Sequence, residues 1–261
     1  MSDNDRYVDY LDLSTLSWKR PAGPPRVWRV VDGRKEMPDG EIPKFSIQEV
    51  PAEMEDDVID FIEKHFIIEE PLCVDQGLAD DAEAVRESRT LWREVFRQGA
   101  SIVALILNAD PTAKPLIAGV NFLAVITAED KAKYDSMLEL RSPVLAKIMG
   151  EQAKLSKEAD VLGRYGVDKY LAAFGLSVHP CLRGQGVGEE ILRAREDFGI
   201  AYNIPATETS FTAMASQVLA NRVGFEVLVE RNHSEILDDE GNIAFPKVNV
   251  KSIKIMAKKL Y

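Results

Sequence analysis

The chain has 261 residues, enough for one large domain or two small ones, and its 46% hydrophobic and 29% charged content is that of a folded globular protein. A formal charge of −11 argues against nucleic acid as a partner, because that affinity rests on Lys and Arg neutralising phosphates; it suits small cationic ligands instead. Two distant cysteines, Cys73 and Cys181, do not make a disulfide scaffold, and no apolar run approaches the ~18–20 residues that span a bilayer, so a cytoplasmic protein without membrane partners is expected.

Residues 1–43 are rich in Pro, Gly and charge and read as an N-terminal extension with little helix. Within them, Val27-Trp28-Arg29-Val30-Val31 reads as a strand that can pair with Phe45–Val50 as a long hairpin. From Lys44 the pattern becomes regular. Ala52–Phe66 and residues 80–98 carry helical periodicity, and Ser101–Leu107 and Leu116–Val125 read as an antiparallel pair around the turn cluster Asn108–Pro111. Residues 129–162 read as helical and charged. Tyr170–Val178 then forms a near-continuous apolar strand of the kind buried on both faces. A Gly-rich turn, a helix from Glu189, a strand at Ala206–Phe211, a helix at Ala213–Val223 and strands at Phe225–Arg231 and Val248–Lys258 complete an α/β fold, one mixed sheet with helices on both faces.

The turn carries the chemistry. Val178-His-Pro-Cys-Leu-Arg-Gly-Gln-Gly-Val-Gly188 ends a strand and opens a helix, which lets backbone amides and a helix N-terminus converge on a phosphate. Gly184, Gly186 and Gly188 fit neither the dinucleotide fingerprint nor the P-loop. They fit Arg/Gln-x-x-Gly-x-Gly/Ala through Arg183, Gly186 and Gly188. This resembles motif A of the GNAT (GCN5-related N-acetyltransferase) superfamily, and the helix running into Arg222-Val223-Gly224-Phe225 resembles its motif B. The resemblance implies the GNAT acyl-CoA N-acyltransferase fold over residues 44–261, a mostly antiparallel sheet with helices on both faces. It also implies acetyl-CoA as co-substrate, held by Leu176, Ser177, Val178, Arg183, Gly184, Gln185, Gly186, Val187 and Gly188.

Phe66-Ile67-Ile68-Glu69-Glu70-Pro71-Leu72 is similar to a segment of insect arylalkylamine N-acetyltransferases. That resemblance implies Glu70 as catalytic base, assisted by hydroxyls at Thr212 and Ser216, which share a helix face if the helix begins by Thr212. The chemistry wants a base, because an alkylammonium of pKa near ~10 must lose a proton before it attacks a thioester. A backbone N–H of Leu176–Val178 is the natural donor to the tetrahedral oxyanion, and Ser216 could protonate the leaving thiolate. Ala220 stands where many GNAT enzymes carry an acid tyrosine.

Other readings compete. Glu69-Glu70 could be a solvated acidic helix end, Thr212 and Ser216 could cap the following helix, and His65 could assist Glu70. His65, His179 and His233 lack metal-ligand spacing, so no metal is expected. The expected partners are acetyl-CoA and a small amine, in a monomer or weak dimer. An arylalkylamine acceptor, a polyamine or agmatine acceptor, a longer acyl chain and non-catalytic acyl-CoA binding stay open.

Overall fold

The structure is a computed structural model that describes residues 6–14, 16–107, 114–131 and 140–261. Its strands are β1 (Val27–Asp32), β2 (Lys44–Glu49), β3 (Ile102–Ile106), β4 (Leu116–Thr127), β5 (Lys169–Val178), β6 (Ala206–Phe211), β7 (Glu226–Asn232) and β8 (Ser252–Lys259). They form one sheet in the order β1-β2-β3-β4-β5-β6-β8-β7. Every pairing is antiparallel except β5 with β6. The helices are α1 (Glu55–Ile62), α2 (Pro71–Gln76), α3 (Ala82–Phe96), α4 (Pro143–Ala159), α5 (Val161–Tyr165), α6 (Val187–Tyr202) and α7 (Met214–Arg222).

Strand alternation builds two cores. β4 sends Val120, Phe122, Ala124 and Ile126 to one face, where Val58, Ile62 and Trp92 from α1 and α3 cover them. Leu123 and Val125 go to the other face, against Ile191, Ala194 and Phe198 of α6. The N-terminal segment reaches both layers. Leu13 and Leu16 are buried in the first cluster, and Trp18 and Trp28 pack on Phe198 with ring centroids 6.0 and 5.9 Å away. Val27–Asp32 pairs with β2 as the expected hairpin.

The 129–162 segment differs from expectation. Its described helix starts at Pro143, because Ser142 supplies an N-cap hydroxyl and Pro fixes φ at the first turn. It ends at Asp160, whose φ of 43° breaks α4 from α5. The part of that expectation on 132–139, and the turn at Asn108–Pro111, lie outside the described residues. β5 is not buried on both faces along its length. From Ala172 to Leu176 its residues are half-exposed, since they line a cavity.

That cavity comes from the topology. β5 pairs with parallel β6 only through Leu171↔Thr207 and Ala172↔Glu208, so Ala173–Val178 has no strand beside it on that edge. A buried Arg195 of α6 holds the wedge open at a fixed width. It donates to Asn121 Oδ1 on β4 (3.0 and 2.7 Å) and to Thr207 and Thr209 on β6 (3.3 and 2.7 Å). Asn121 in turn donates to the Gly175 carbonyl of β5 at 2.8 Å.

Candidate active site

The turn between β5 and α6 has the shape of a phosphate cradle. Gly184 and Gly186 have φ of 81° and 87°, the left-handed region that only glycine enters without strain. A Cβ on Gly186 would lie 2.7 Å from Arg34 Nε, so a side chain there would also collide with its neighbour. Gly186 caps α6, whose first amides have no partner within the helix and face an anion favourably. Around this turn lies a groove lined by Arg34, Arg183 and Arg222, a local positive rim on a chain of charge −11.

The Gln185 side chain has a part of its own beside the turn. Its buried side chain accepts from the Arg34 and Lys35 amides (2.8 and 2.9 Å) and donates to the Lys35 carbonyl (2.9 Å). It clamps the β1–β2 loop onto the turn. Arg34, brought to the groove this way and paired with Glu189 at 2.8 Å, was invisible in the sequence because about 150 residues separate it from the turn.

The groove meets the cavity of about 450 Å³ between β5 and β6, and Leu176, Val178, Arg183, Ala215 and Ser216 line both. Ser177 faces the cavity too. Glu70 stands in its wall, 8% exposed. The approach to Glu70 is a π-helical turn, Glu63–Ile67, that ends α1; Pro71 then starts α2, for which Glu70 is the N-cap. Its Oε2 accepts from the Cys73 amide at 2.7 Å and its Oε1 from the Thr212 hydroxyl at 2.6 Å. The Cys73 bond is an ordinary N-cap bond; the Thr212 bond and the burial are what set Glu70 apart from a solvated acidic helix end.

Thr212 and Ser216 do not share a helix face. α7 begins at Met214 with Ala213 as N-cap, so Thr212 lies just after β6 and before the helix, and its hydroxyl goes to Glu70, not to a helix amide. Ser216 lines the cavity and the groove, but its hydroxyl donates to the Ala213 carbonyl at 2.8 Å. Glu69, the neighbour of Glu70, points outward and pairs with Arg183. That ion pair bridges the helix end to the glycine turn.

His65 also faces the cavity, in ring contact with Phe61 and His179 at 4.8 and 4.9 Å. Burial first, then the neighbouring His179 and Lys64, hold its pKa below the ordinary histidine value. Burial and the adjacent Glu70 push the Cys73 thiol well up, which removes it as a nucleophile. Ala220 is fully buried among Leu192, Phe211 and Phe225, and brings no hydroxyl. Among the described residues no group of three or more His, Cys, Asp or Glu is placed to hold a metal, and no helix is long and apolar enough to cross a membrane.

Sequence reading missed Glu208. It is 6% exposed in the cavity wall, and burial lifts its carboxyl to about 6 against the pull of its bond to Ser156.

The fold and this site together define a GNAT-type, acyl-CoA-dependent N-acetyltransferase. Within that class the chain resembles the insect arylalkylamine N-acetyltransferases. It is similar to the structure of a putative arylalkylamine N-acetyltransferase 7 from the yellow fever mosquito Aedes aegypti. The two are 29% identical, with a TM-score of 0.84 over 94% of this chain and 100% of that one. Arylalkylamine N-acetyltransferase 2 of Aedes aegypti shares the fold at 21% identity and TM-score 0.71, over 83% of this chain and 99% of that one. A Drosophila melanogaster polyamine N-acetyltransferase shares it at 18% and 0.67, over 82% and 99%. No family model and no curated protein matches the chain.

Proposed function

We propose that the chain transfers the acetyl group of acetyl-CoA to the primary amine of a small arylalkylamine of the dopamine, tyramine, octopamine and serotonin class. The observation that carries this reading is the buried Glu70 carboxylate, fixed by Thr212 and the Cys73 amide in the wall of the cavity that opens into the glycine groove. An aromatic body suits the cavity, whose walls include Phe66, Trp92 and Phe174. The similarity to the mosquito enzyme, 29% identical over nearly the whole chain, points the same way.

The mechanism follows from the positions. The amides of the Arg183–Gly188 turn and the α6 N-terminus hold the pyrophosphate, and the unpaired edge Leu176–Val178 aligns the thioester. Glu70 takes a proton from the substrate ammonium, directly or through one water, while Thr212 keeps the carboxylate aimed. The free amine attacks the thioester carbonyl and the oxyanion meets a backbone N–H of Leu176–Val178. The thiolate then leaves. Ser216, once its hydroxyl turns from the Ala213 carbonyl, passes its proton to that thiolate and takes back the second proton that the nitrogen sheds as the amide forms.

A second reading, a polyamine or agmatine acceptor, is favoured by one observation, the acidic Glu208 inside the cavity. The two separate in a screen of tyramine, dopamine, serotonin, agmatine, spermidine and a lysine peptide with acetyl-CoA, following thiol release. Aromatic amines should turn over fastest. Equal or better turnover of the lysine peptide removes the arylalkylamine reading.

A further inference from the structure

β6 presents two chemically different faces. Thr207 and Thr209 turn toward α6, where both hydroxyls accept from Arg195. By strand alternation Glu208 and Ser210 lie on the opposite face, with Thr212 just past the strand's end, and all three line the cavity, as do Thr209 and Phe211 between them. Thr212, at one end of this row, holds Glu70. Ser210, in the middle, has a buried hydroxyl with no hydrogen-bond partner among the described residues. Glu208, at the other end, accepts a hydrogen bond of 2.8 Å from Ser156 of α4.

A buried carboxylate with one bonded oxygen is costly unless something completes it. A carboxylate is acceptor-only when ionised and can take several donors, so what completes it must donate. Lys131, which lines the same cavity, lowers the carboxyl's pKa through its charge, yet the net effect of the surroundings is still to raise it, to about 6. Among the hydrogen bonds described, Glu208 thus has room for a further donor at the deep end.

We propose that Glu208 is the far-end recognition residue of the acceptor pocket, selecting arylalkylamines whose ring carries a hydrogen-bond donor opposite the reacting amine. The inference rests on the amine-acetyltransferase reading above and deepens it. Four residue steps lead from Glu208 to Thr212, just past the end of β6, about 13 Å at strand rise. Allowing a hydrogen bond of about 2.8 Å at each end leaves about 7–8 Å, close to the length of an ethylamine arm plus a phenol ring. Phe66, Trp92 and Phe174 line the space between, which favours a ring over a bare alkyl chain.

The test compares tyramine with phenethylamine, which lacks the ring hydroxyl, and includes agmatine as a non-aromatic donor. In the wild-type enzyme, kcat/KM for tyramine should exceed that for phenethylamine at least tenfold, mainly through KM. Glu208→Leu fills the space without a charge and should bring the ratio close to one. Glu208→Gln retains an acceptor oxygen and should restore part of it. Coenzyme A affinity, read by calorimetry, reports whether each variant is folded.

A ratio below threefold in wild type, or one that survives in Glu208→Leu, overturns the inference while leaving the acetyltransferase reading in place. Agmatine outpacing tyramine overturns the ring assignment. Coenzyme A binding with no turnover of any amine sinks both readings together.

Discussion

The Thr212 hydroxyl donates to Glu70 Oε1 at 2.6 Å, joining residues 142 positions apart, while Glu70 Oε2 accepts from the Cys73 amide. A carboxylate gripped at both oxygens is oriented before any substrate arrives, which reduces what binding must reorganise. The bond also ties the end of β6 to the start of α2, so the wall of the cavity and the candidate base move as one unit.

Glu70→Gln should lower kcat by roughly 10²–10⁴-fold, the usual contribution of a positioned acid–base group, with acetyl-CoA affinity little changed. Gln keeps an oxygen for the Cys73 amide, so the N-cap of α2 survives and the loss is not one of folding. Glu69→Gln is the comparison. That side chain pairs with Arg183 at the surface, and its loss should cost far less. Steady-state kinetics on both variants decide the assignment, which falls if Glu69→Gln costs as much or if Glu70→Gln keeps about a third of kcat.

Thr212→Val removes the hydroxyl while keeping the shape, and leaves Glu70 Oε1 without its donor in a buried setting. A hydrogen bond to a charged group contributes about 1.5–3 kcal/mol, so kcat/KM should fall roughly 10–100-fold. Thr212→Ser should recover most of it. Equal activity in all three enzymes would show that Glu70 needs no help from β6.

Gly186→Val should abolish measurable coenzyme A binding in calorimetry, against ~micromolar affinity for wild type. Two causes add. Valine is strained at φ 87°, and its Cβ would sit against the Arg34 guanidinium over the cradle. Unchanged affinity would put the phosphate site elsewhere.

The glycine turn was legible because few residues can make it, and its spacing carries the information locally. Glu70 was legible only through resemblance, since Glu69-Glu70 alone reads as a charged helix end. Thr212 was legible through resemblance too, but its place before the helix was not. Its role comes from its position just after β6, and the local signal that α7 starts two residues later is weak, for Ala213 makes no side-chain cap. Arg34, Arg195 and Glu208 escaped notice because each acts across strand or loop pairings that only the folded sheet creates. In Ala206–Phe211 the run Thr207-Glu208-Thr209-Ser210 is polar on both strand faces and carries no signal of burial. β6 instead lies inside the sheet, between β5 and β8, with α4 covering Glu208.

Glu208 also has a signature in stability, independent of any substrate. Its carboxyl is raised from an ordinary 4.5 to about 6, chiefly by burial. The native state thus holds its proton more tightly than the unfolded chain does. The stability this group contributes is fully present below about pH 4.5 and is lost as pH rises through about 6. A shift of that size corresponds to about 2 kcal/mol. Glu208→Gln cannot ionise, so it should not lose stability in that window. The difference in unfolding free energy, Glu208→Gln minus wild type, should therefore grow by about 2 kcal/mol in favour of the variant between pH 4.5 and pH 7. Denaturant unfolding of both proteins at the two pH values reads this directly, and each comparison cancels other titrating groups. A difference that does not change with pH would mean the carboxylate is already satisfied in the free protein. A variant more stable than wild type at pH 7 yet poorer with hydroxylated amines would identify Glu208 as a group kept for recognition at the expense of stability.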